Sequence, residues 1–243
     1  MLGTFVQSLL DQRHATDDPT EDHPYFGSQR ILALALTGRF DEASHQASTM
    51  WDSWRRDGSP PREWMSPHAA AAALVHGLLG DDELDLWRAR ALEIARVDDP
   101  AESGYLAAFA AFVDARLAVH TGRLHAAPAL VERAFAAFPR RWYETYARAA
   151  GAELAVVAGL PDAAARLETA APCAAENDWA AACLTRASGR LNVDPDALTH
   201  AIEGWERIGA RFERACTLLL LPETAPEGHS ELHALGCPPP AAG

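Results

Sequence analysis

The chain has 243 residues, 49% of them hydrophobic, and carries a formal charge of −13 from 34 acidic and 21 basic side chains. That length is enough to bury a sizeable core, in one domain or one elongated array. The acid balance sets the chain against the phosphates of DNA and RNA, so no direct nucleic-acid binding is expected.

The N-terminal MLGTFVQSLLDQR has neither a basic leader nor a long apolar run, and nothing downstream reaches about 18 consecutive apolar residues. A cytoplasmic protein without a secretion signal or membrane span is therefore expected. Residues 4–12 read as a short first helix. The stretch 14–23 (HATDDPTEDH) reads as a solvated acidic linker. Its Asp17, Asp18, Glu21 and Asp22 lack the mid-loop glycine and final glutamate of a helix-loop-helix calcium site.

From 24 to 236 the pattern is helix, glycine turn, helix, repeated. Alanine, the best helix former, dominates, while the Val, Ile and Thr runs of strands are missing. Five turns are read at Gly38, Gly80, Gly122, Gly159 and Gly189, each after an alanine-rich apolar segment where a left-handed cap suits glycine. One helix hairpin cannot bury its apolar stripe alone, so an all-α array of about five to six stacked hairpins is expected. The tail 237–243 (CPPPAAG) cannot continue a helix and is expected to be flexible.

Chemical motifs are sparse. His229, His233 and Cys237 recur every four residues, as three ligands on one helical face would. Gly236 and Pro238 set the helix end near Cys237, which makes them a weak metal candidate beside ordinary surface histidines. Cys173, Cys183, Cys216 and Cys237 show no CxxC spacing, so reduced thiols are the expectation. His68 with His76, and His120 with His125, are candidates for a pH response, set against plain packing at helix edges. Trp51, Trp54 and Trp64 bracket the loop-like RRDGSPPREW, where tryptophan and arginine suit either a partner anchor or the core. Pro139, Arg140, Arg141, Trp142 and Tyr143 read as a phosphate-attracting patch or as ordinary helix-start surface. No GxxxxGK[ST] loop, GxSxG elbow or HExxH helix occurs, so neither a cofactor nor enzymatic activity is expected.

The segment LxxxGRxxEA at 34–43 and the run Gly122, Ala127, Ala134, Pro139 resemble the tetratricopeptide consensus, as do Ala152, Ala155, Ala164 and Ala171. The stretch 177–221, with RASGR, a D-P-x-x-L helix start and W-x-x-I-G-A-x-F-E-x-A, resembles the C-terminal regions of actinobacterial LuxR-type ATPases and adenylate-cyclase-like activators. The resemblance implies a sensing or docking part of a transcriptional regulator, binding a protein or peptide; the alternatives are a small-molecule or peptide sensor and, third, an enzyme whose site is assembled only in the fold. The phosphate loop and the basic helix-turn-helix of such regulators are not found here, so the chain reads as a free-standing relative or a fragment. By the family's geometry, a partner-binding groove would be lined by Phe112, Arg116, His120, Tyr146, Glu153, Trp179 and Arg186.

Overall fold

The computed structural model describes residues 24–241, and among these every regular element is helical. The helix expected at 4–12 and the acidic linker at 14–23 lie outside the described residues. The first four helices are α1 (Pro24–Leu36), α2 (Phe40–Arg56), α3 (Ser66–Leu79) and α4 (Leu84–Ala95). The middle of the chain forms α5 (Ala107–Thr121), α6 (Ala127–Ala134), α7 (Glu144–Val157), α8 (Ala163–Ala170) and the single turn α9 (Cys173–Glu176). It ends in α10 (Asp178–Asn192), α11 (Pro195–Arg207), α12 (Arg211–Leu218) and α13 (Ala225–Ala234).

One row of helices forms the centre: α1 packs on α3, α3 on α5, α5 on α7, and α7 on α10. Each has an outer companion next to it in sequence, as α2 is to α1, α4 to α3, α6 to α5, α8 to α7 and α11 to α10. The division follows composition. Helix α3 is buried from Ser66 to Leu78, with Ala69–Ala73 on its inner turns, and α5 is nearly as enclosed. A helix apolar all round belongs inside, whereas a striped helix such as α11 buries only Leu198, Ala201, Gly204 and Trp205 and wets the rest.

Four of the five expected turns fall where glycine takes positive φ, from +63° at Gly159 to +77° at Gly38. The fifth does not. Helix α10 runs straight through Gly189 to Asn192, and Val193 closes it at φ +53°. A Cβ at Gly189 would stand 2.9 Å from the Leu198 side chain, so this glycine serves the close approach of α10 and α11 instead. The next helix is started by Asp194, whose carboxylate accepts from the N–H groups of Asp196 and Ala197. Asn177 does the same for Ala180 at the head of α10.

The C-terminal part closes the row. Phe212 of α12 packs edge-on against Phe40 and against His120. The tail is not free up to Ala241: Pro238 lies against Gly80, Cys237 is buried, and the Ala241 N–H donates to the His120 carbonyl at 3.0 Å. Turns at Gly38, Gly80 and Gly122 are thereby touched in succession by α12 and the segment 235–241.

Candidate functional site: a sealed interior and an outer cleft

The family-implied groove residues do converge on the central row, but as interior. Phe112, Arg116, His120, Tyr146, Glu153, Trp179 and Arg186 are all buried, none more than 7% exposed. Helix α12 covers part of this set, Glu213 bonding Arg116 and Arg186 and Phe212 packing on His120. Phe112, Tyr146, Trp179 and Trp205 form a continuous aromatic run with ring centroids 5.2 to 5.6 Å apart.

Beside that run sits a four-membered ion cluster. Arg116 of α5 donates from Nε and Nη2 to both Glu213 oxygens, at 3.0 and 2.8 Å, and from Nη1 to Glu153 at 3.0 Å. Arg186 of α10 grips the Glu153 carboxylate of α7 from Nε and Nη2 at 2.5 and 2.8 Å. Its Nη2 also lies 2.8 Å from Glu213, and its Nη1 donates to the Glu213 carbonyl and the Thr217 hydroxyl. Two guanidiniums and two carboxylates balance, and the Trp205 ring lies 5.0 Å from the Arg186 guanidinium. Burying charge is tolerated only with this degree of pairing.

The electrostatics follow from the packing. Burial alone would raise the Glu153 pKa, but Arg186 and Arg116, helped by Arg190, outweigh it and hold the carboxyl at about 2. Burial, followed by the charge of Arg116, lowers His120 to about 4. Burial likewise lowers His68 to about 4. Burial pushes Cys216 up to about 12 and raises Cys183 well above the ordinary thiol range. Both thiols are therefore protonated and poor nucleophiles at neutral pH. Chemically the cluster is a fixed clamp joining α5, α7, α10 and α12, with Arg190 a further ion partner of Glu153 at 3.9 Å.

An open concavity lies on the other side of the central row. Outer helices α4 and α6 stand apart, and the gap between them has a volume of about 650 Å³. Its floor is Gly77 of α3 with Leu117 and Ala118 of α5; Asp81, Asp82 and Asp85 line one wall, and Arg123, His125 and Arg133 the other. A second compartment of about 240 Å³ shares Arg88 and Asp114 with it and is otherwise apolar, including Ala70, Ala73, Ala91, Leu106, Ala110 and Val113. Asp114 bridges the gap, accepting from Arg88 at 2.7 Å and from Arg133 at 3.2 Å. Small residues on two adjacent inner helices are what leave the hollow.

The remaining candidates separate. His229 and His233 are exposed on α13 while Cys237 is buried beyond Gly236, which breaks the helix at φ +71°. Among the described residues no three His, Cys, Asp or Glu side chains form a group able to hold a metal ion. His76 bonds Asp81 at 2.7 Å and stacks on Trp87. His125 is exposed at the cleft, while His120 is buried. Trp54 is core, its indole donating to the Pro60 carbonyl, while Trp51 carries Arg90 at 4.9 Å and Trp64 meets His68. Glu213 was within reach of sequence reasoning, as the glutamate of W-x-x-I-G-A-x-F-E-x-A; the cleft residues Arg88, Asp114 and Arg133 carry no such motif.

Among the described residues no helix is long and apolar enough to cross a membrane. No protein-family model matches the sequence, and no curated protein or solved structure is a match.

Proposed function

We propose that this chain is a protein-binding regulatory module, a tetratricopeptide-like array of helix hairpins that docks a protein or peptide through the outer cleft between α4 and α6. The observation that carries this reading is the cleft itself: a polar channel beside a small alanine-lined apolar compartment with which it shares Arg88 and Asp114. Support for the repeat reading comes from the paired helices and from left-handed glycines at the turns. The sensing arm of a LuxR-type regulator remains the role that the resemblance at 177–221 implies. The docking surface is moved, however, from the inner face to the outer one, since the inner face is filled by α12.

Photocrosslinking from a benzophenone side chain at Leu92, beside the apolar compartment, tests this directly. Capture of one discrete partner, lost when Ala110→Trp fills the compartment while the melting temperature holds, is the expected result. A partner retained by the filled variant sinks the cleft as its site. The apolar compartment also favours a second reading, a small-molecule sensor, because about 240 Å³ suits one compact apolar group. A thermal shift with a single compound class, abolished by the same Ala110→Trp change, is its signature.

A further inference from the structure

At the end of the cleft marked by Leu106, the neighbouring Tyr105 belongs to an exposed stack with Arg140 and Trp142. The Arg140 guanidinium lies 4.5 Å from the Tyr105 ring centre and 5.9 Å from that of Trp142, and the two rings meet edge-on at 5.2 Å. Trp142 is 54% exposed, whereas Trp54, Trp87, Trp179 and Trp205 are each 3% exposed or less. Among the described residues Arg140 makes no ion pair. The adjacent Arg141 does, its Nε donating to Glu144 at 2.9 Å.

The stack is built rather than incidental. Tyr143 holds φ +64°, a costly conformation for a non-glycine residue, and sets Trp142 outward just before α7 begins. A Cβ at Gly104 would stand 3.3 Å from Arg140 Nε, so glycine leaves the room in which the guanidinium lies over Tyr105. An arginine ordered this way has already lost much of the side-chain entropy that binding would otherwise cost. Tyrosine, tryptophan and arginine together are also the residues in which interface energy concentrates.

We propose that this stack docks an acidic peptide segment of a partner protein, a carboxylate pairing with Arg140 while a neighbouring apolar side chain covers the Trp142 face. Charge selects the occupant. On a chain of formal charge −13, Arg140, whose neighbour Arg141 is already paired with Glu144, makes a local positive spot that draws an acidic side chain to one place and disfavours it elsewhere. A nucleic-acid strand feels the same spot but must also bring its further phosphates against the acidic body. The proposal adds a contact beyond the cleft and does not depend on it.

The test is fluorescence anisotropy of the full chain with three labelled probes: a 12-residue Gly-Ser peptide carrying one Asp-Leu-Phe-Glu segment, its counterpart with Lys in place of Asp and Glu, and a 12-nucleotide single strand. The acidic peptide is expected to bind, with affinity falling at least tenfold in Arg140→Glu and in Trp142→Ala. Arg141→Ala is expected to change it less than threefold, and Ala110→Trp to leave it intact. All three patch positions are exposed, so circular dichroism and melting of those variants should match the parent. Failure of the acidic peptide to bind, equal binding by Arg140→Glu, or an equal or stronger preference for the basic peptide or the nucleotide strand overturns the proposal. Loss of peptide binding in Ala110→Trp but not in Arg140→Glu also overturns it, placing the peptide in the cleft and leaving the proposed function standing.

Discussion

Glu153 and Asp114 each sit between two arginines, and they do different work. Glu153 lies between Arg116 and Arg186 with all three side chains at most 2% exposed. Asp114 lies between Arg88 and Arg133, which are 42% and 60% exposed, and is itself 28% exposed. In the dry site water cannot replace a lost partner, so each group is committed to its neighbours. In the wet site solvent screens the pairs and competes for every bond, so the bridge across the cleft costs little to open. The interior trio, with Glu213, therefore fixes the positions of four helices, while the outer trio is free to rearrange.

The sharpest way to break that comparison is to remove the central carboxylate of each. Glu153→Ala leaves two buried guanidiniums to share the single Glu213 carboxylate and is expected to cost about 3–5 kcal/mol, read by urea denaturation. A loss under ~1 kcal/mol would mean water reaches the cluster. Acid is the next largest lever. His68 and His120 are lowered from 6.5 to about 4 in the folded chain, so the unfolded chain binds more protons between those values. Stability is then fully present above pH 6.5 and falls as pH drops toward 4. At pH 5.5 the loss is expected to be roughly 1 kcal/mol per histidine relative to pH 7.5, measured by denaturation at each pH. His120→Gln should flatten about half of that slope. Glu153 titrates lower still, its contribution lost only as pH falls from the ordinary carboxylate range through about 2. Smallest is Asp114→Asn, expected to cost ~1 kcal/mol or less and to lose even that in high salt. A larger cost would show that the bridge holds the cleft rather than spanning it.

Helical class and turn positions were legible because their causes are local. Alanine-rich runs and left-handed glycines act within a few residues, so Gly38, Gly80, Gly122 and Gly159 could be placed from sequence alone. Gly189 carries the same local mark and was misplaced, because its reason is a Leu198 side chain arriving from the next helix. Positions 112, 116, 120, 146, 153, 179 and 186 all lie on the buried face of the central row. What covers that face is not local at all: Glu213 meets Arg116 across 97 residues of chain, and no spacing rule reports such a pairing. The cleft was hidden for a different reason, since it is defined by two outer helices failing to touch. An absence of packing between α4 and α6 leaves no residue pattern on either.

The segment 235–241 changes how the molecule should come apart. If each helix pair touched only the next, stability would be a sum of nearest-neighbour terms and the ends would fray first. Here the C-terminal helices and the segment 235–241 bond to the middle of the chain, through Glu213 on Arg116 and Ala241 on His120, and reach its first helix pair through Phe212 on Phe40, so the line of pairs is tied into a loop. Melting one end must then loosen the other, favouring a single cooperative transition over stepwise peeling. Closure is expected to come late in folding, since contacts between distant parts of a chain must wait for the loop between them to be ordered.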